Sequence, residues 1–401
     1  MIITETYFKF IRYSLDEGMA WDSSFQNIDW DELFHFAKRQ TIVGVLFEGI
    51  KRIPKECAPP FNTLMSWMGY SEQIRKRNLM MNEAAHSIYE ILSKDGFRCF
   101  VLKGQGNTLM YPNPYSRTPG DIDLLLCADR NTIDVYLESH FKIESRNLQH
   151  AEFEYHGACV EAHYFPAYLN NVFYNRRLQR WFRKYNDLQC SNIVELPDGA
   201  GNIAVPTSSY NVIFQLCHLY EHFFDEGIGM RQIIDYYYVL MNMWHTDFTD
   251  LTDSKVRKNN QYIEQTKEKV ISVESVRSVC DNELKHLGLW EFAGAVMYVL
   301  HEALGLPEEK MIAPMDEKRG KLLLAEILNG GNFGRHFTKY GHFTQQGMAK
   351  KYFLKIWRNM HFVKYYPAEA LSEPIFRTWH FFWRLRWDFT YRLDKIGGGS
   401  A

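Results

Sequence analysis

No run in the chain approaches the roughly 20 apolar residues that a membrane-spanning helix needs, so a helical membrane protein is not expected. The opening residues, MIITETYFKFIRYSLDEG, are interrupted by charge and lack the apolar run of a signal peptide. Seven cysteines are present, but none form a C-x-x-C pair, the spacing of thiolate metal and redox sites. Several of them lie inside apolar runs, which suits reduced, buried thiols in a reducing compartment. Charge of one sign is also missing: 46 Lys and Arg against 48 Asp and Glu leave a net charge of −2. That is too little for a chain-wide field that would gather nucleic acid or an anionic membrane. No internal repeat is present. These absences together predict a soluble, cytoplasmic protein.

What is abundant is length and aromatic content. With 401 residues and 15% Phe, Trp and Tyr, two or three structural units with ample core are expected. Residues 1–95 read as an N-terminal helical region. Asp29 with Glu32 three residues on is a capping-box pattern, and Met81, Ala84, Ala85, Ile88 and Leu92 line one side of a helix over 71–94 with Gly96 just past its end. From Phe97 the period shortens. FRCFVLKG, DIDLLLC, FKIESR, AEFEYH and ACVEAHYF read as strands, the last two joined at Gly157 as a hairpin, with a helix over 131–140. Residues 96–206 therefore form a compact α+β core with a small mixed sheet. Residues 207–395 return to helical spacing, beginning at the serine pair Ser208 and Ser209, and 396–401 (ending GGGSA) is a flexible tail.

The stretch RTPGDIDLLLC raises a chemical question, because Asp121 and Asp123 stand at the mouth of a strand that otherwise reads as core. Alternate residues of a strand share a face, so the two carboxylates point the same way about 7 Å apart. Joined by a third acid, they can hold two divalent cations that activate a hydroxyl and neutralise charge developing on phosphate. Glu161 supplies that acid from ACVEAHYF, with Cys159 and His163 on its own face; Glu152 and Glu154 lie on a more polar strand and read as solvated. Without such convergence the pair would merely cap a loop or meet Arg117 in a surface salt bridge. Upstream, Gly104 and Gly106 in VLKGQGNTLMYP would let phosphate approach backbone N–H groups at a helix start. Lys103 and Arg117 are the cations at hand, as triphosphate ligands or as counter-ions of the acids; the two roles are compatible. Tyr111 and Pro112 read as packing and turn residues.

Other motifs have plainer readings. His218 and His222 share one helical face, a spacing that can bind zinc, but no H-E-x-x-H glutamate accompanies them. A packed or hydrogen-bonded pair is expected, and a place lining the cleft is open to it. Arg231 and Asp235 are four residues apart and predict an intrahelical ion pair. FRTWHFFWRLRWDFTYRL interleaves aromatics with Arg377, Arg384, Arg386 and Arg392. It can stack on bases or lie on a membrane, but burial against the helical region is the expectation. NGGNFGRHFTKYGHF follows no strand, so a loop, in the role of a lid, is expected rather than a phosphate turn.

A strand, KGQG, a helix, GDIDLLL and then VEAHY resemble the polymerase-β-type nucleotidyltransferase superfamily. The likeness is to a bacterial branch in which a Lys-Gly turn, a Tyr-Pro, an Arg and Gly-Asp-Ile-Asp precede a V-E-x-H strand. WDELFHFAKRQTIVGVLFEGI and CHLYEHFFDEGIGMRQIIDYYYVL resemble that branch's flanking helices, so the likeness spans much of residues 25–245. It implies Asp121, Asp123 and Glu161 as ligands of two Mg²⁺ ions. It also implies that Gly104, with Lys103, Gln105 and Arg117 around it, takes the phosphates of an NTP. The implied activity is transfer of a nucleotidyl group to a hydroxyl of an unidentified small molecule, sugar or protein, with nucleic acid less favoured because the core lacks a basic stripe. The superfamily's usual Gly-Ser is replaced here by Lys103-Gly104-Gln105. On that ground the alternative is a catalytically weak or inactive nucleotide- or partner-binding module.

Overall fold

Where the hydrophobic period shortens from that of a helix to that of a strand, a five-stranded mixed sheet forms. Its strands are β1 (Cys99–Val101), β2 (Ile122–Leu126), β3 (Ile143–Arg146), β4 (His150–Tyr155) and β5 (Ala158–His163), in the order β1-β2-β5-β4-β3. The computed structural model describes residues 5–243, 281–334 and 348–397, and the whole of the expected helix or loop over 252–270, residues 335–343 of the glycine loop, Cys280 and the tail 398–401 lie outside them. The fold is α+β, as expected. β2 runs antiparallel to β1 and parallel to β5. A parallel pair needs a long crossover, and the helix α6 (Arg130–His140) with β3 and β4 supplies it. The β4–β5 hairpin turns at His156 (φ +48°) and Gly157 (φ +76°), two consecutive left-handed residues, the conformation of a tight two-residue turn.

All five residues of β2 are buried, and the strand has a distinct purpose on each face. Ile122, Leu124 and Leu126 pack with Met81, Ala84, Ala85, Ile88 and Leu92 of the long helix α4 (Phe61–Lys94) and with Ile133 and Leu137 of α6. Strand alternation puts Asp123 and Leu125 on the other face, where Leu125 joins a second apolar cluster formed by the helices before and after the sheet. That cluster unites α1 (Glu5–Leu15), α2 (Trp30–Gln40) and α3 (Val43–Ile50) with α8 (Ser208–Asp225), α9 (Met230–Met243) and the helix Trp290–Leu304. α2 starts as expected: the Asp29 carboxylate accepts from the N–H groups of Asp31 and Glu32. α8 departs from expectation, since its N-cap is Thr207 rather than the serine pair and makes no side-chain capping bond. Between sheet and α8 lie two elements not anticipated, the helix α7 (Val172–Gln189) and the hairpin of β6 (Ile193–Leu196) and β7 (Gly201–Ala204).

The described side chains of the C-terminal helix Pro367–Gly397, up to Trp383, correct the expected burial in part, and those of residues 384–393, with Arg384, Arg386 and Arg392, lie outside the described ones. Leu371, Ile375, Trp379 and Phe382 form a stripe at helical spacing, and it faces solvent, with Ile375 72% and Phe382 63% exposed. Ala370 is buried in the main apolar cluster and Phe376 stacks on Tyr168, and polar residues also tie this helix down. Glu369 accepts from the N–H of Asn170 and of Asn171 at the start of α7, and Arg377 pairs with Asp225 and Glu373.

Candidate active site

The register of β2 and β5 brings the acids together. Asp123 and Glu161 are direct partners across the parallel pair, one row short of Leu125 and His163. Asp121 stands just before β2, and oxygens of Asp121, Asp123 and Glu161 all lie within 4.8 Å of one another. Asp123 is 1% exposed; its Oδ1 accepts from Lys103 Nζ at 3.1 Å and from His163 Nε2 at 3.1 Å. Its Oδ2 is buried with no hydrogen-bond partner. A buried carboxylate oxygen left unpaired is costly, and here it faces two further carboxylates. Burial alone would raise Asp123, but Lys103 and His163 overcome it and hold the carboxyl well below the usual range. Glu161 lacks that compensation: burial and repulsion from Asp123 and Asp121 push it up to about 7 against the pull of His163.

Two cations and a neutral histidine organise the acids. Burial disfavours the Lys103 ammonium, yet Asp123, Asp121 and Glu161 keep it charged and raised. His163, 3% exposed, likewise loses to burial but gains more from Asp123 and Glu161, and is pushed up to about 9. It therefore bridges the two carboxylates as an imidazolium, 3.1 Å from Asp123 and 3.3 Å from Glu161. His150, its cross-strand partner on β4, behaves differently. The Asn147 Oδ1 accepts from the N–H of Gln149 and of His150, which turns Asn147 Nδ2 onto His150 Nε2 at 2.7 Å. Burial, with His163 nearby, lowers His150 to about 3, so it is neutral and carries its proton on Nδ1, 3.3 Å from Glu161 Oε2. His150, Glu161 and His163 stand close enough to suggest a second ligand set. The Asn147 bond makes His150 present an N–H, not a lone pair, to that space, so the carboxylate trio is the better cation holder.

Lys103 follows β1, and Leu102 N–H bonds to Asp123 O at 2.9 Å, which fixes the start of the turn beside the acids. Gly104 then takes φ +63°, open to glycine, and lines the cleft with Lys103, Asp121 and Asp123. The helix it opens is only Gln105–Thr108. The Gln105 side chain points away, bonding Asn82 on α4, so it offers the cleft only backbone. Gly106 is a packing glycine: a Cβ there would lie 2.8 Å from Val205 Cγ1.

Arg117 lines the same cleft but forms its ion pair away from the three acids. It makes a buried two-point pair with Asp235, Nε to Oδ1 at 2.7 Å and Nη2 to Oδ2 at 2.8 Å, and Tyr111 donates to the same carboxylate at 2.6 Å. The expected pair between Arg231 and Asp235 is therefore not formed, because Arg117 already occupies both oxygens. Arg231 donates instead to Thr118 O at 3.1 Å and lines the cleft. From α8, His218 Nε2 lies 2.9 Å from Lys103 Nζ and 3.1 Å from His222 Nε2, so the two histidines form the hydrogen-bonded pair expected and His218 also walls the cleft. Phe333, from the glycine loop, closes the far side.

A family described as uncharacterised nucleotidyltransferase matches residues 26–261, more than half of the chain and all of the sheet. The chain belongs to this nucleotidyltransferase family. No curated protein and no solved structure matches it. Membership makes the nucleotidyltransferase a transferase acting on nucleotides. Among the described residues, no helix is long and apolar enough to cross a membrane. His163, His150, Asn147 and Arg231 are site residues that motif reading did not assign. His163 had a visible signal, since it shares Glu161's face by alternation; Asn147 and His150 depend on the register of the β4–β5 hairpin, and Arg231 on a contact with Thr118, 113 residues away.

Proposed function

We propose that the nucleotidyltransferase moves a nucleotidyl group from an NTP, such as ATP, to a hydroxyl of an acceptor in a Mg²⁺-dependent reaction that releases pyrophosphate. The observation that carries this reading is the pairing of Asp123 with Glu161 in register, with Asp121 at the strand mouth and one Asp123 oxygen unpaired. Three carboxylates form a hard-oxygen donor set of the kind Mg²⁺ prefers, so Asp121, Asp123 and Glu161 would hold the metal, with room in the motif for two ions. Bound there, Mg²⁺ would supply charge neutralisation at the triphosphate and acidify the acceptor hydroxyl. Lys103 keeps Asp123 ionised and adds a positive charge at the phosphate side of the cleft. The acceptor oxygen attacks the α-phosphorus, the bond from that phosphorus to the β-phosphate's bridging oxygen breaks, and pyrophosphate leaves with its electrons. The hydroxyl proton goes to Glu161, which burial and the neighbouring Asp123 and Asp121 make basic enough to receive one against the pull of the His163 hydrogen bond. The free cysteines of the described chain accord with a cytoplasmic setting.

The test is transfer of label from α-labelled NTPs in a cell extract with Mg²⁺, comparing the parent with Asp123→Asn and Glu161→Gln. Loss of labelling by at least about a hundredfold is expected of each, on the scale of losing a charge-stabilising group in a transition state, with circular dichroism unchanged. Labelling at the parent level in Asp123→Asn would refute the assignment. One observation favours the alternative of a weak or inactive nucleotide-binding module: Lys103 and His163 already neutralise Asp123 internally. Calorimetric binding of Mg-ATP without any labelling would decide for it.

A further inference from the structure

We infer that Arg231 is the residue that receives the terminal phosphates of the nucleoside triphosphate, the anion-binding subsite of the cleft that Asp121 and Asp123 also line; the inference rests on the nucleotidyltransferase reading above. Arg231 is a cation left without a carboxylate in a place where one was available. On α9 it stands one turn before Asp235, the spacing of an intrahelical ion pair. Arg117, from the loop before β2, takes both oxygens of that carboxylate, and Tyr111 adds a third bond to it. No ion pair joins Arg231 to any acid among the described residues. Its one hydrogen bond goes to Thr118 O, and its Nε is buried without a partner.

An uncompensated guanidinium beside a second one is unfavourable unless an anion arrives. Burial and the neighbouring Arg117 lower Arg231, and the fields of Asp235 and Asp121, neither of which it pairs with, only partly offset them. The position matches an incoming anion. Arg231 lines the cleft shared by Lys103, Gly104, Asp121 and Asp123. A Cβ on Gly120, the residue before Asp121, would stand 3.5 Å from Arg231 Nη1 and 3.9 Å from Nη2, so the glycine keeps the donor edge open. The Phe333 ring lies 5.8 Å from the guanidinium on another side and shields it from bulk water. A cleft with carboxylates on one wall and an open guanidinium on the other fits a ligand that carries a cation at one end of an anionic chain. A metal-bound polyphosphate has that composition, and the planar guanidinium can take two phosphate oxygens at once. Arg117 is thereby the buried post that satisfies Asp235 and leaves Arg231 free.

Isothermal titration of the full chain with ATP, ADP and AMP in Mg²⁺ tests this, comparing the parent with Arg231→Gln and Arg231→Lys. Arg231→Gln should weaken ATP about ten- to a hundredfold, the range for losing hydrogen bonds to a charged group, and AMP by less than about threefold, while Arg231→Lys recovers part of the ATP affinity. Equal weakening of ATP and AMP would mean that Arg231 only props the 117–120 loop through Thr118 and would overturn the inference, as would unchanged ATP binding. If the parent itself binds no Mg-ATP, the nucleotidyltransferase reading fails, and the subsite falls with it.

Discussion

At the scale of single residues, the pair of Arg117 and Asp235 shows how a motif residue can line a site while its charge is spent on a neighbour. Both side chains are buried, at 4% and 5% exposure, and each of the carboxylate's oxygens has a donor. Removing one partner of such a pair leaves a buried charge, a loss of about 3–5 kcal/mol. Arg117→Met should therefore lower unfolding stability in urea by about that much, with Asp235 stranded beside Tyr111. Replacing both residues, Arg117→Met with Asp235→Leu, should cost clearly less than the single change, since no charge then remains buried. A single variant as stable as the parent would show that water reaches Asp235. In the same neighbourhood Lys103, though buried, is held charged by three acids, so its role is set by position rather than by sequence context.

At the scale of elements, a polar contact holds the C-terminal helix to the start of α7, and the carboxyl that makes it, Glu369, is raised by burial. Burial chiefly, with Glu373 adding repulsion, pushes Glu369 up to about 7 although the Asn170 and Asn171 N–H groups pull it down. The folded carboxyl keeps its proton to higher pH than the unfolded one, so between the ordinary value of 4.5 and about 7 the folded state binds more protons. The resulting stability is fully present below that window and is lost as pH rises through it. The fall in thermal midpoint between about pH 5 and pH 8 should shrink in Glu369→Gln; a fall as steep as the parent's would remove Glu369 from the cause. Reading elements from sequence succeeded where a period was clean. D-I-D alternation and V-E-A-H put Asp121, Asp123, Glu161 and His163 on one side before any register was known, and Gly157 marked the hairpin. It failed where partners are remote. Asp235 is paired 118 residues away by Arg117 instead of four residues away by Arg231, and helical spacing cannot show that. Aromatics spread around all sides of the C-terminal helix predict its burial, but the stripe at Leu371, Ile375, Trp379 and Phe382 faces outward, and the spread does not state which face a neighbour covers.

At the scale of the whole molecule, the sheet is covered on one face by α4 together with its own crossover helix α6 and on the other by helices from outside it in sequence. Leu124 and its neighbours on one face need Met81 to Leu92 of α4, and Phe100, Leu102 and Leu125 belong with Tyr210 and Phe214 of α8. The candidate site is also assembled across these layers, since Lys103 meets His218 on α8 and Arg117 meets Asp235 on α9. A mixed sheet stripped of both helical layers would expose two apolar faces, and burial of such faces, at about 25 cal/mol per Å², is what offsets chain entropy. We therefore predict that residues 96–206 expressed alone will not unfold cooperatively, will bind a hydrophobic dye as partly folded states do, and will not bind Mg-ATP. A sharp thermal transition with parent-like circular dichroism in that fragment would show instead that the strands and α6 suffice. In that event the flanking helices would be appended to a self-standing core, and acceptor choice could be sought in them separately from the chemistry.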